Sequence, residues 1–222
     1  MSLGNELFFC QANHKSSSRD YFARMAPSKP AEMRIAKDYD FDYWDGDRRF
    51  GYGGYGYIPG RQTKLASDII SYFELSNDSK ILDVGCGKGV LLHELSKIFP
   101  DQLNIGVDIS RYAIEKSVDL SLDLRLGDAV DLSQFGDNEF DLAISLATFH
   151  NLEIPELERA LKEFCRVSRR QYLMVESYRN EDELTNLQCW ALTAESFFSK
   201  REWIWLYQQF GYAGDYEFIY FE

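Results

Sequence analysis

Three carboxylates and one imidazole each stand at the end of a short apolar run, where a folded chain could bring them to one ligand. Asp83 opens the pattern Asp83-x-Gly85-x-Gly87-x-Gly89. Glycines at every second position remove the Cβ atoms that would hold a ligand off the backbone, and they permit positive φ. Asp108 closes the next apolar run, about twenty positions beyond the glycine loop, where a carboxylate can accept both ribose hydroxyls of an adenosine. Its alternative use is as an N-cap, which Ser110 could also supply. Asp128 ends a third run and could equally be a turn residue. His150 follows a fourth, and an imidazole with an ordinary pKa near 6.5 suits proton removal at neutral pH. It could instead cap the next helix or pack beneath the sheet.

These residues need a scaffold of alternating strands and helices. Ile81, Leu82 and Val84 read as a strand buried on both faces, and Leu91, Leu92, Leu95, Ile98 and Phe99 follow at helical spacing. The helix N-terminus and its unpaired N–H groups then point back at the glycine loop. Further strands are expected over 103–107, 122–126, 142–147, 171–176 and 216–221. Helices are expected around Leu65–Phe73, Ala113–Val118, from Pro155 through Cys165, near Leu184–Ala191, and from the Ser199/Glu202 capping box to Gly211. The Trp203, Leu206, Tyr207 and Phe210 stripe reads as core. Alternation of this kind predicts a mostly parallel sheet, with ligands bound at the carboxyl ends of its strands.

The acidic residue followed by G-x-G-x-G resembles the first motif of the class I S-adenosylmethionine-dependent methyltransferases. The resemblance is strong over about 79–177. It implies a Rossmann-like three-layer α/β/α sandwich with an S-adenosylmethionine site, and S-adenosylhomocysteine as the product. It implies that Asp108 contacts the ribose, that Asp128 and the Ala129 N–H contact the adenine, and that Cys86, Ile109 and Leu146 complete the cofactor set with Asp83, Gly85, Gly87 and Gly89. The D-x-x-F-D approach to strand four also matches, and the family fold places His150 where the methyl group is presented. That fold ordinarily ends in two strands, the last antiparallel, whereas only 216–221 is available here. Ser145-Leu146-Ala147-Thr148 replaces the Asn/Asp-Pro-Pro-aromatic or Pro-Cys signatures of the best-known DNA-modifying branches.

Composition bounds the partners. The 222 residues carry a net charge of -12, which repels phosphate backbones and anionic membranes, so no nucleic acid and no membrane is expected. Cys10, Cys86, Cys165 and Cys189 form no metal-binding spacing, and no metal is expected. Free cysteines without an apolar leader suggest a cytoplasmic protein.

Ahead of the first strand, residues 1–60 read as an arm and 61–222 as the methyltransferase domain. Asn5 to Pro30, with Ser16–Ser18, shows no sustained period. Next come Asp38–Asp45, rich in alternating aromatics, and then Gly51-Tyr52-Gly53-Gly54-Tyr55-Gly56-Tyr57. This stretch either packs its aromatics onto the domain or forms a lid. As a lid, Tyr52, Tyr55 and Tyr57 would supply walls, and Arg48, Arg49 or Arg61 would clamp a carboxylate. Glu176–Arg179, at the end of the fifth strand, could reach a substrate.

The residues and the resemblance together predict a methyltransferase acting on a small-molecule acceptor, by O- or N-methylation of a sugar or other metabolite. The alternatives are an NAD- or nucleotide-binding protein of similar architecture and a non-catalytic relative that docks a partner.

Overall fold

A computed structural model describes residues 3–11, 14, 19–53 and 55–222; Ser16–Ser18 and Gly54 fall outside them. Six strands form one sheet: β1 (Lys80–Val84), β2 (Leu103–Asp108), β3 (Asp123–Leu126), β4 (Leu142–Leu146), β5 (Gln171–Glu176) and β6 (Asp215–Ile219). Their spatial order is β3-β2-β1-β4-β5-β6, and every pairing is parallel. The order reverses between β1 and β4, so the crevice at the carboxyl ends of these strands lies at the topological switch point.

Side-chain alternation explains the layering. Leu82, Ala143, Leu173 and Phe218 face one core with α6 (Ile154–Val167) and α8 (Lys200–Gln209), while Ile81, Leu142, Ile144 and Tyr172 face a second core with α3 (Thr63–Tyr72) and α4 (Val90–Ile98). Both faces are covered, which is why β1, β4 and β5 are almost continuously apolar. Phe164, Trp203 and Tyr207 are wholly buried in the first core, each contributing roughly 1.5–3 kcal/mol or more by removal from water. The Ser199/Glu202 reciprocal cap starts α8, and Gly211 ends it with φ of +78°. Pro155 lies in the first turn of α6, which Glu153 and Glu156 cap reciprocally.

The two ends of the chain meet at the β6 edge. The Leu7 N–H donates to the Tyr216 carbonyl (2.7 Å), and the Tyr216 N–H donates to the Asn5 carbonyl (3.0 Å). The buried Glu217 carboxylate accepts the N–H groups of Phe9, Cys10 and Gln11. Among the described residues there is no antiparallel closing strand; an open edge is instead blunted by this N-terminal segment. Within the Asn5–Pro30 arm, residues 5–11 form a strap held by long-range hydrogen bonds, which leave no periodic signature in the sequence. The sequence pattern did not predict α1 (Lys29–Ala36), which carries Pro30 in its first turn, or the single turn α2 (Phe41–Trp44), capped by Asp40. The remaining helices are α5 (Arg111–Glu115) and α7 (Glu181–Trp190). No helix among the described residues is long and apolar enough to cross a membrane.

Candidate active site

A cavity of about 700 Å³ lies over the carboxyl ends of the central strands. Its floor is the loop between β1 and α4. Gly85, Gly87 and Gly89 all adopt positive φ, and a Cβ on Gly85 would sit 1.9 Å from Thr148 Oγ1. Asp108 is aimed by backbone donors, Gly87 N–H on Oδ2 (2.7 Å) and Ser110 N–H on Oδ1 (2.8 Å). The Ser110 hydroxyl accepts the Ala113 N–H, so Ser110, not Asp108, caps α5. Burial raises the Asp108 pKa, against the lowering effect of those two donors.

Asp83 differs from Asp108 in having no hydrogen-bond partner among the described residues. It is buried, and burial followed by the nearby Asp108 charge pushes its carboxyl up to about 7. Among the described residues nothing donates a hydrogen bond to it. A buried carboxylate without a counter-charge is matched by a cationic ligand, and S-adenosylmethionine carries both an ammonium and a sulfonium, so the residues present fit that cofactor. Asp128 holds its own turn through Val130 N–H (3.1 Å) and borders the cavity with Ala129, Ile109, Leu146 and Cys86. Gly89 does not border it. This residue stands at the N-cap of α4, where a Cβ would lie 2.9 Å from Leu122 Cδ1 and 3.0 Å from Leu124 Cδ1, so packing against these two leucines demands the glycine.

His150 lies in a single 3₁₀ turn, Phe149–Asn151, after β4, and its side chain borders the cavity. Both ring nitrogens face Glu176, the last residue of β5: Nδ1 accepts the Glu176 N–H (3.4 Å), and Nε2 lies 3.5 Å from Oε2. Burial pushes His150 down to about 3 and Glu176 up to about 8, so the imidazole stays neutral, with Nε2 beside the carboxyl. Glu176 is the residue the sequence pattern undervalued, because a carboxylate at a strand end acquires meaning only from what lies beside it.

The cover comes from chain ahead of β1. The Trp44 indole N–H donates to Ser110 Oγ (2.9 Å), and its ring lies 2.7 Å from where a Gly87 Cβ would project. Asp45 accepts from Lys88 Nζ (2.6 Å) and from the Tyr112 hydroxyl (2.8 Å). Tyr52, Tyr55 and Arg61 border the cavity, and the Tyr52 hydroxyl accepts the Leu192 N–H (2.7 Å) while its ring stacks on Trp190. Tyr57 points elsewhere: its hydroxyl donates to Glu94 (2.8 Å) and accepts from Lys97. The pattern also missed His14, Arg19 and Trp190, which join the wall through tertiary contact alone.

Comparison with known proteins agrees with this architecture. Residues 81–171 match the methyltransferase domain family. The chain is 33% identical over 90 residues to an uncharacterized methyltransferase, C70.08c, of Schizosaccharomyces pombe, covering 39% of this chain and 34% of that protein, so it spans about a third of that relative's length. Among solved structures, a SAM-dependent methyltransferase from Archaeoglobus fulgidus aligns over 67% of this chain and 66% of its own, with 19% identity and a TM-score of 0.52. The YcgJ protein of Bacillus subtilis aligns over 65% and 66%, with 21% identity and a TM-score of 0.50. Such distant structures speak for the fold alone. Residues 81–171 therefore match the methyltransferase domain family, and the parallel sheet order and the glycine loop give the chain the Rossmann-like fold of such proteins.

Proposed function

We propose that this chain transfers a methyl group from S-adenosylmethionine to an oxygen or nitrogen of a small molecule. The observation that carries the reading is one cavity that cofactor-type carboxylates, Asp83 and Asp108, line together with the Glu176/His150 pair. S-adenosylmethionine, when bound, supplies an electrophilic methyl group on sulfur. In this reading Asp108 holds the ribose hydroxyls, Asp128 and the Ala129 N–H hold the adenine, and Asp83 offsets the cofactor's positive charge. Glu176 takes the proton the acceptor loses, and His150 orients the Glu176 carboxylate through Nε2–H. A group with its pKa near the working pH is the most effective proton acceptor, and Glu176 at about 8 satisfies that. The Trp44, Tyr52 and Tyr55 segment acts as the lid, excluding water while the acceptor is positioned. The cavity volume and the acidity of the chain favour a small acceptor over a polymer.

Calorimetric titration with S-adenosylhomocysteine and NAD in parallel, followed by an acceptor screen with methyl-labelled S-adenosylmethionine, tests the reading. Binding of S-adenosylhomocysteine alone and label transfer to a small molecule are expected. NAD binding in its place, or tight cofactor binding with label transferred to no acceptor, would reject it.

A further inference from the structure

The wall beside Glu176 carries a concentration of positive charge that the cofactor reading does not use. Arg48 borders the cavity, and its guanidinium lies 5.8 Å from the Trp190 ring centroid. Gly53 makes room for it: the backbone there has φ of +67°, and a Cβ would fall 2.2 Å from Arg48 Nη1. Behind it, Arg24 stacks over the same ring at 4.2 Å and ties down the Arg48 segment, its Nη2 donating to the carbonyls of Arg48 (3.1 Å) and Gly51 (2.8 Å). Arg24 Nη1 is buried and has no partner among the described residues. Arg19 lies over Trp190 as well, at 5.4 Å, and its charge acts on Glu176.

Guanidinium groups can stack on an indole for structural reasons, and the 4.2 Å contact of Arg24 is accounted for in that way. Arg48 is not. It is exposed at the cavity wall, forms no ion pair among the described residues, and repels Arg24, whose pKa is lowered by burial and, among its neighbours, by Arg48. In a chain with 36 acidic and 24 basic residues, carboxylates are plentiful, yet among the described residues none forms an ion pair with Arg48, and Glu32 acts on Arg24 only as the weakest of its neighbours. The usual occupant of such an arrangement is an anion, which guanidinium groups hold through paired N–H donors.

Resting on the methyltransferase reading above, we infer that the methyl acceptor is an anion: Arg48, with Arg19 and Arg24 behind it, holds a carboxylate or phosphate of the acceptor at the Trp190 wall. The cofactor's own carboxylate is the competing occupant. Position argues against it, because the cofactor-type carboxylates lie at β1 and β2, whereas Trp190 ends α7 and is joined to Tyr52 beside Thr193.

The test uses the full chain saturated with S-adenosylhomocysteine and titrated with benzoate, phenyl phosphate and the neutral benzyl alcohol. At least one of the two anions should bind at least tenfold tighter than benzyl alcohol. Arg48→Gln should erase that preference, Arg48→Lys should keep part of it, and S-adenosylhomocysteine affinity should stay within twofold in both variants. Equal binding of all three probes, or an anion preference that survives Arg48→Gln, would overturn the inference. So would a tenfold loss of S-adenosylhomocysteine affinity in Arg48→Gln, which would assign Arg48 to the cofactor's carboxylate. Failure of the wild-type chain to bind S-adenosylhomocysteine would instead overturn the methyltransferase reading itself.

Discussion

The floor and the cover of the cavity meet the same ligand space but are made by different rules. On the floor, Asp83, Gly87 and Asp108 sit at the ends of adjacent parallel strands, and Asp83 pairs in register with Gly106, two residues before Asp108. Backbone geometry alone brings them together. The cover is a set of aromatic side chains, Tyr39, Tyr43, Trp44, Tyr52 and Tyr55, whose placement depends on single contacts, such as Trp44 to Ser110 and Tyr52 to Leu192. This sheet end is rigid because β1, β2 and β4, which carry it, are each paired on both sides. A segment held by a few side-chain hydrogen bonds has a lower free energy of local opening than a paired sheet, which suits the lid role proposed for it above.

The most severe way to break the comparison is at Gly87, where floor and cover touch. Valine would need φ of +55°, a left-handed backbone costing roughly 1–2 kcal/mol for a residue with a Cβ, and would press into Trp44. Gly87→Val should reduce S-adenosylhomocysteine affinity by at least about 100-fold, or ~2.7 kcal/mol, with circular dichroism unchanged. Recovery of affinity in a Gly87→Val, Trp44→Ala double variant would mean that this glycine serves the cover. No recovery would assign it to the ligand.

Next in size is the reacting end. Glu176→Gln should lower turnover by about 10²-fold or more while leaving cofactor affinity within twofold. Wild-type turnover should rise with pH through about 8, the range in which the carboxyl ionises. Full activity in this variant would return the role of proton acceptor to His150, for which His150→Ala is the matching measurement. A smaller effect belongs to the floor: Asp108→Ala should weaken S-adenosylmethionine binding by roughly 1.5–3 kcal/mol, the worth of charge-assisted hydrogen bonds. Unchanged calorimetry there would remove the ribose assignment.

The floor was legible because its determinants are local. An apolar run, a terminal carboxylate and a glycine are neighbours in sequence as well as in space, and the Ser199/Glu202 cap spans a single helical turn. Strand ends shifted by one or two residues, as at β6, where Asp215–Ile219 replaces 216–221, without moving any site residue. The cover was legible only as an oddity of composition. Nothing local distinguishes Tyr55, at the cavity, from Tyr57, bonded to Glu94. Trp190 reads as the end of a helix until Tyr52 is stacked on it. Glu176 and His150 are 26 positions apart, and their pairing follows from β4 and β5 being adjacent, a fact of topology that neither residue announces.

The smallest expected effect separates the two ionisable carboxylates of the floor. Asp83 has a raised pKa of about 7 because it is buried beside Asp108 and receives no donor, whereas the two N–H groups on Asp108 favour its ionised form. For a carboxyl raised in this way, the stability contribution is fully present below the unfolded value near 3.9 and is lost as pH rises through 7. A cationic ligand reverses the preference by stabilising the carboxylate, so S-adenosylmethionine should bind more tightly as pH rises from 6 to 8. The limit is about tenfold for each unit below the pKa, or ~1.4 kcal/mol. Calorimetry at pH 6.5 in two buffers of different ionisation enthalpy should register proton release on binding. S-adenosylhomocysteine keeps the ammonium but lacks the sulfonium charge, and its affinity should depend less on pH. Making these measurements in the Glu176→Gln background removes the other group that titrates in this range. Asp83→Asn should flatten both profiles; a slope that persists in Asp83→Asn would place the titrating group elsewhere in the cavity and leave Asp83 a structural residue.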